Sequence, residues 1–168
     1  MSTRSLGTDG FGTWDIRGDP CTDAVESALE AGYRHIDTAR MYKNESAVGA
    51  GIDRSDVDRE SIYLATKVWD DSLAYEAVLH SAEESRQDLG VSTLDLLYIH
   101  WPRDTYVPEE TLPAFDDLID RGVIRDVGLS NFTPALLDEA RDVLEAPIRA
   151  HQVEMHPLLP QTELLAYA

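Results

Sequence analysis

Six times along this chain a short apolar run suited to a strand gives way to a helical pattern, and no hairpin signal joins two strands directly. That alternation constrains the fold more than any other feature, because strands joined through crossover helices lie parallel and need helices over their faces. The strand-like runs are 11–13, 33–38, 61–68 ("SIYLATKV"), 94–100 ("LDLLYIH"), 124–129 and 150–154. The helical patterns cover 22–31, 45–52, 73–89, 108–121, 134–144 and 161–168. Their ends carry suitable punctuation. Asp19 or Thr22 is available to cap the first, Thr133 with Pro134 opens the fifth, and Gly32, Gly90 and Gly122 close three of them. No G-x-G-x-x-G follows the first strand, so a doubly wound dinucleotide fold lacks its main signature. The pattern predicts an α/β fold: a (β/α)₈ barrel of which residues 1–168 supply about six units, as one partial domain two strands short of closure.

In such a barrel the C-terminal ends of the strands meet on one face, where active sites form. Asp37 ends the second predicted strand, Lys67 the third and His100 the fourth; Ser130-Asn131 follow the fifth, and Gln152 and Glu154 lie on the sixth. Polar groups from five successive strands then converge on one mouth. Lys67 stands out, since Lys43 is the only other lysine and Lys67 falls inside an apolar strand. A buried ammonium needs a carboxylate, and Asp37 on the neighbouring strand is the candidate. Tyr42 lies in the loop just after Asp37. An ammonium beside a phenol is expected to lower its pKa from about 10, giving an Asp–Lys–Tyr relay that can give and take a proton. His100 adds a hydrogen-bond donor for a carbonyl oxygen. Trp14, Trp69 and Trp101 lie at or just past strand ends, as walls of an apolar pocket or as packing under loops. A metal centre is the rival chemistry, since His35 and Asp37 share a strand face. Lys67 would repel the cation, and no HExxH or second His-x-His pair occurs, so no metal is expected. His35 reads as packed, His80 as solvated on a helix, and His156 as part of a turn before Pro157.

Charge excludes some partners. There are 32 acidic residues against 14 basic ones, a formal net charge of −18, which opposes binding to nucleic acid or anionic membranes. No run approaches the roughly 18 apolar residues of a membrane span, and Met1–Arg4 lead into no signal-peptide core. One cysteine, Cys21, excludes an internal disulfide and a cysteine-built metal site. A cytoplasmic protein is expected. The acids are spread along the helices rather than gathered in a tail, which predicts a halophile surface whose self-repulsion is screened by concentrated salt.

Taken in order, "GTW" (12–14), "GYRHIDTARMYKNESAVG" (32–49), "ATKVW" (65–69), "LGVSTLDLLYIHWP" (89–102), "GLSNF" (128–132) and "HQVEMHP" (151–157) resemble the aldo-keto reductases over nearly the whole chain. The resemblance implies a (β/α)₈ barrel that binds NADP(H) in preference to NAD(H), without a Rossmann motif. It implies Tyr42 as general acid, tuned by Lys67 and Asp37, with His100 positioning the carbonyl. It implies that Ser130, Asn131 and Gln152 hold the nicotinamide carboxamide, that Thr13 and Asp37 lie near the cofactor, and that Trp14, Trp69, His100 and Trp101 shape the substrate pocket. The reaction implied is hydride transfer from nicotinamide C4 to the carbon of a small aldehyde or ketone, Tyr42 protonating the oxygen. Lys43 stands where the family commonly has Gly and is expected to point to solvent. His151 stands where Asn is common, which bears on how Gln152 is oriented. Nothing in residues 1–168 matches the family's seventh-strand aromatic or its pyrophosphate and adenosine contacts, so these residues alone are not expected to be a competent reductase. A nicotinamide-binding sensor subunit and a truncated inactive fragment are the other readings. The full set of Asp37, Tyr42, Lys67 and His100 argues for chemistry.

Overall fold

The computed structural model describes residues 6–167. Strands and helices alternate as the pattern requires: β1 (Phe11–Gly12), α1 (Gly18–Glu30), β2 (His35–Asp37), α2 (Glu45–Arg54), β3 (Tyr63–Val68), α3 (Tyr75–Asp88), β4 (Leu94–Ile99), α4 (Pro108–Asp120), β5 (Ile124–Ser130), α5 (Pro134–Val143), β6 (Ile148–Gln152) and α6 (Thr162–Tyr167). Every neighbouring pair is parallel, and the spatial order is the chain order, β1 to β6. A doubly wound sheet reverses its order at a switch point. This one does not, so each crossover helix falls on the same side and the sheet curls as part of a (β/α)₈ barrel. The curl brings the ends of β2 and β6 together: Gln152 Nε2 donates to Asp37 Oδ2 over 3.1 Å, across 115 residues of chain.

Alternation along the strands divides the core in two. Ile36, Leu64, Val68, Leu97, Ile99, Val127 and Leu129 turn outward and pack, fully buried, under the helices with residues such as Val25, Leu29, Val78 and Phe115. Tyr63, Ala65, Leu96 and Tyr98 turn inward and form a smaller cluster with Ala150 and Leu6. The Tyr98 ring fills the space beside Gly128, where a Cβ would come within 2.4 Å of it. Lower in the barrel, Tyr63 OH donates to Asp126 Oδ2 at 2.7 Å. Gly51 lets α1 and α2 approach, since a Cβ there would lie 2.7 Å from the Thr22 carbonyl.

Several boundaries differ from expectation. α1 starts at Gly18, so Thr22 is not its cap; it is buried and donates to Ala47 O on α2 at 3.1 Å. β2 starts at His35 rather than at residue 33, because the Tyr33 N–H closes the end of α1 on Ala28 O. α3 starts at Tyr75, after a 3₁₀ turn at Asp70–Ser72. β6 runs from Ile148 and ends at Gln152, so Glu154 lies beyond it; pairing with β5 stops at Ser130 and Gln152. Thr133 does cap α5, accepting from Leu136 N.

Candidate active site

Lys67 sits one residue before the end of β3 and points into the barrel with Tyr63 and Ala65. It is 1% exposed. Its Nζ donates to Asp37 Oδ1, at the end of β2, and to Thr38 O at 2.8 Å. Burial lowers the Lys67 pKa, and the Asp37 carboxylate opposes that shift. The pair therefore answers the cost of putting an ammonium in the core. Asp37 is steadied from two more directions. Gln152 reaches its Oδ2, and its backbone oxygen accepts from Thr13 N at 3.0 Å and Thr13 Oγ1 at 3.3 Å. Thr13 is thus placed against the Asp37 backbone.

Tyr42 closes a 3₁₀ turn, Arg40–Tyr42, that ends at Lys43 in the left-handed region, φ +55°. That conformation costs a non-glycine residue energy, and a glycine would adopt it more readily. The Lys43 side chain is exposed, as expected. The next two residues anchor the turn from both sides, and sequence reasoning missed them. Asn44, buried, donates to Thr13 O and Ile16 O at 2.9 Å each and accepts from Thr38 Oγ1 at 2.8 Å. Glu45, also buried, accepts from Thr66 Oγ1 at 2.6 Å and from Arg40 Nη1 at 2.9 Å. The only signal in the sequence was their adjacency to Tyr42.

The turn brings Tyr42 among aromatic neighbours. Its ring centroid lies 5.0 Å from that of Trp14 and 5.9 Å from His100, and the Lys67 ammonium is 5.3 Å from its centre. Trp69 packs edge-on against His100 at 5.0 Å. Trp14 is 60% exposed and Trp101 is at the rim, so these two form an outer lip while Trp69 lies deeper.

One expectation is reversed. The Tyr42 pKa is not lowered by Lys67; it is pushed up to about 12, by burial and then by the Asp37 carboxylate. The ammonium is committed to Asp37 and Thr38 O, and at the phenol burial and the carboxylate prevail. At neutral pH Tyr42 holds its proton. His100 moves the other way: burial first, then the Lys67 charge, bring it down to about 4. It is a neutral imidazole with its Nδ1 buried and unpartnered among the described residues.

The β5–β6 side carries the remaining candidates. Ser130 is buried at the end of β5, and its Oγ accepts from Asn131 Nδ2 at 3.0 Å. Asn131, with φ +64°, also donates to His100 O at 2.9 Å, tying the end of β4 to that of β5. His151 Nε2 accepts from Phe132 N at 3.2 Å, leaving Gln152 free to turn toward Asp37. Glu154, beyond the end of β6, is bonded to His156. His35 packs edge-on against Tyr63 in the barrel floor, His80 is solvated, and His156 forms the turn to Leu159. Among the described residues no group of three or more His, Cys, Asp and Glu is placed to hold a metal, and no helix is long and apolar enough to cross a membrane.

With this geometry in hand, comparison with known proteins is informative. A model of the Aldo/keto reductase family matches residues 5–168. An aldo-keto reductase of Mycolicibacterium smegmatis is 45% identical over 160 residues, covering 92% of this chain and 57% of that protein. A glyoxal reductase of Bacillus subtilis is 41% identical over 160 residues, covering 94% and 57%. The crystal structure of a Bombyx mori aldo-keto reductase in complex with NADP superposes with a TM-score of 0.87 at 32% identity, covering 94% and 57%. The chain thus spans a little over half the length of the curated relatives it matches.

Proposed function

The chain belongs to the aldo/keto reductase family, and from that premise we propose that it serves NAD(P)H-dependent reduction of small aldehydes or ketones to alcohols. One observation carries the reading: a buried Lys67–Asp37 pair, a protonated Tyr42 and a neutral His100 share one mouth.

A carbonyl oxygen between Tyr42 and His100 meets two uncharged donors at neutral pH. Reduced nicotinamide, when bound, supplies the hydride. Negative charge then builds on the carbonyl oxygen, where fixed donors act most strongly. Tyr42 gives that oxygen its proton, because an alkoxide is far more basic than a phenolate. The ring of the phenolate left behind is centred 5.3 Å from the Lys67 ammonium, whose pairing with Asp37 leaves the phenol a weak acid until the alkoxide forms. His100 orients the oxygen without competing as a proton donor. Trp14, Trp69 and Trp101 wall the apolar side.

The residues at the ends of β5 and β6 suit a carboxamide. Ser130 Oγ accepts from Asn131 and keeps its hydrogen to donate, while the Asn131 and Gln152 amide oxygens can accept. These three would hold the nicotinamide, with Thr13 and Asp37 alongside. We take the cofactor to be NADP(H), in line with the NADP complex of the Bombyx mori relative, and the substrate to be a small dicarbonyl or aldehyde, in line with the Bacillus subtilis glyoxal reductase. The reading implies a cytoplasmic enzyme, where nicotinamide nucleotides are held, and the acid excess suits concentrated salt.

The test joins residues 1–168 to the C-terminal part of the Bacillus subtilis relative and follows NADPH oxidation with glyoxal. Tyr42→Phe should cut turnover by about 10²–10⁴-fold while NADPH binding persists, since only the proton donor is lost. An undiminished Tyr42→Phe enzyme removes Tyr42 from the mechanism.

A further inference from the structure

Arg40, Arg54 and Arg59 each engage carboxylates on neighbouring elements through their terminal nitrogens. Arg125 and Arg149, near the starts of β5 and β6, approach carboxylates through Nε instead. At the other end of the strands, three residues past His100 in the β4–α4 loop, stands Arg103. It spends only Nε, on Asp70. Its two terminal nitrogens have no hydrogen bond among the described residues, and the side chain is 55% exposed.

Its placement is nonetheless fixed. The guanidinium carbon lies 4.7 Å from the Trp101 ring centre and 5.8 Å from that of Trp69. Trp69 in turn packs on His100. Asp70, the anchor, is buried, and its backbone oxygen accepts from Thr105 N at 3.2 Å and Thr105 Oγ1 at 2.8 Å, which stitches the Arg103 loop to the end of β3. Stacking and anchor together leave the forked end of the guanidinium facing outward, one indole away from the imidazole.

We propose that Arg103 determines specificity by taking a carboxylate carried on the aldehyde or ketone whose carbonyl lies between Tyr42 and His100. The assignment rests on the carbonyl-reductase reading and narrows its substrates to short oxo-acids. The terminal nitrogens match a carboxylate in two parallel hydrogen bonds. A local cation is needed for this, because the far field of a −18 chain repels anions. Lys43 does not serve as well. The cleft of ≈ 630 Å³ that it lines beside Trp69 also presents Glu45, Asp71 and Asp88.

The experiment titrates the tryptophan fluorescence of the 168-residue chain with 4-oxobutanoate and with its methyl ester, an uncharged twin. The acid should bind about 10-fold more tightly, as a charge-assisted hydrogen bond allows. Arg103→Met should erase the difference, and Arg103→Lys, which keeps the charge but loses the fork, should retain part of it. Equal affinity in the parent chain, a preference that survives Arg103→Met, or no response to either compound overturns the assignment. Turnover by the joined protein separates the two readings. If it reduces the ester with no preference for the acid, carbonyl reduction stands and Arg103 falls. If the acid binds preferentially but neither compound is reduced, the reduction reading alone fails.

Discussion

The two sides of the mouth are held by different means. On the β2–β4 side every residue of β3 and β4 is buried, and apart from His100 Nδ1 the site's charged groups there are satisfied by their neighbours: Lys67 by Asp37 and Thr38 O, Glu45 by Thr66 and Arg40. On the β5–β6 side none of the five residues of β6 is buried, and the Gln152 and Asn131 amide oxygens have no hydrogen bond among the described residues. The contrast follows from what each side must do. A proton relay needs its charges desolvated and fixed before substrate arrives, since reorganising them during reaction is costly. Groups that grip a ligand need valences left over. Asp37 stands where the two sides meet, with one oxygen on Lys67 and the other on Gln152.

That shared carboxylate offers the sharpest way to break the comparison. Asp37→Ala leaves the Lys67 ammonium buried and unpaired, which should cost about 3–5 kcal/mol. Gln152→Ala removes one hydrogen bond at a half-buried position and should cost no more than about 1.5 kcal/mol. Urea midpoints measure both. Adding Lys67→Met to Asp37→Ala should recover most of the larger loss, because the stranded charge is then gone. Equal penalties for the two single variants would mean that both sides are equally rigid.

A second prediction uses pH. An unfolded histidine titrates near 6.5, whereas His100 in the fold is held down to about 4. Between those values the unfolded chain binds a proton that the folded chain refuses. The contribution of His100 is therefore complete above about pH 6.5 and is lost as pH falls toward 4. It amounts to up to roughly 3 kcal/mol, at about 1.4 kcal/mol per pKa unit. Carboxylates titrate in the same range, so the measurement is the difference in urea midpoint between the parent and His100→Gln from pH 7 to pH 4. The gap should close in the acid. A constant gap would place His100 in solvent.

How much of this could be read from the sequence depended on whether the deciding contact was local. The alternation of elements, the inward Lys67 and its pairing with Asp37 follow from strand period and from the cost of a buried charge. The frame of β6 was not legible, because it is set by β5 and by a register shift between Val127 and Gly128. Thr22 reads as a cap until α2 covers it and takes its hydroxyl. The direction of the Tyr42 shift turned on depth of burial and on the Asp37 carboxylate prevailing at the phenol, neither of which adjacency reveals. Arg103 was invisible for the same reason: its anchor, Asp70, lies 33 residues away, on a different loop.

The smallest effect sets the buried site against the acidic surface. Molar KCl shortens the Debye length to about 3 Å, so repulsion among dispersed surface carboxylates fades while a desolvated pair is hardly touched. The surface pairs are mixed. Arg40 reaches Glu84 and Asp88, each nearly half exposed, and salt weakens those attractions too. With a net charge of −18, repulsion outweighs such pairs. Stability should rise by roughly 1 kcal/mol between low salt and molar KCl, or about 2–4 °C in melting temperature for a chain of this size. The Asp37→Ala penalty should stay the same across that range, since the ammonium it strands is out of reach of ions. A melting temperature that is flat in salt would show that the acids are too far apart to matter. A penalty that shrinks with salt would show that Lys67 is less enclosed than its 1% exposure implies.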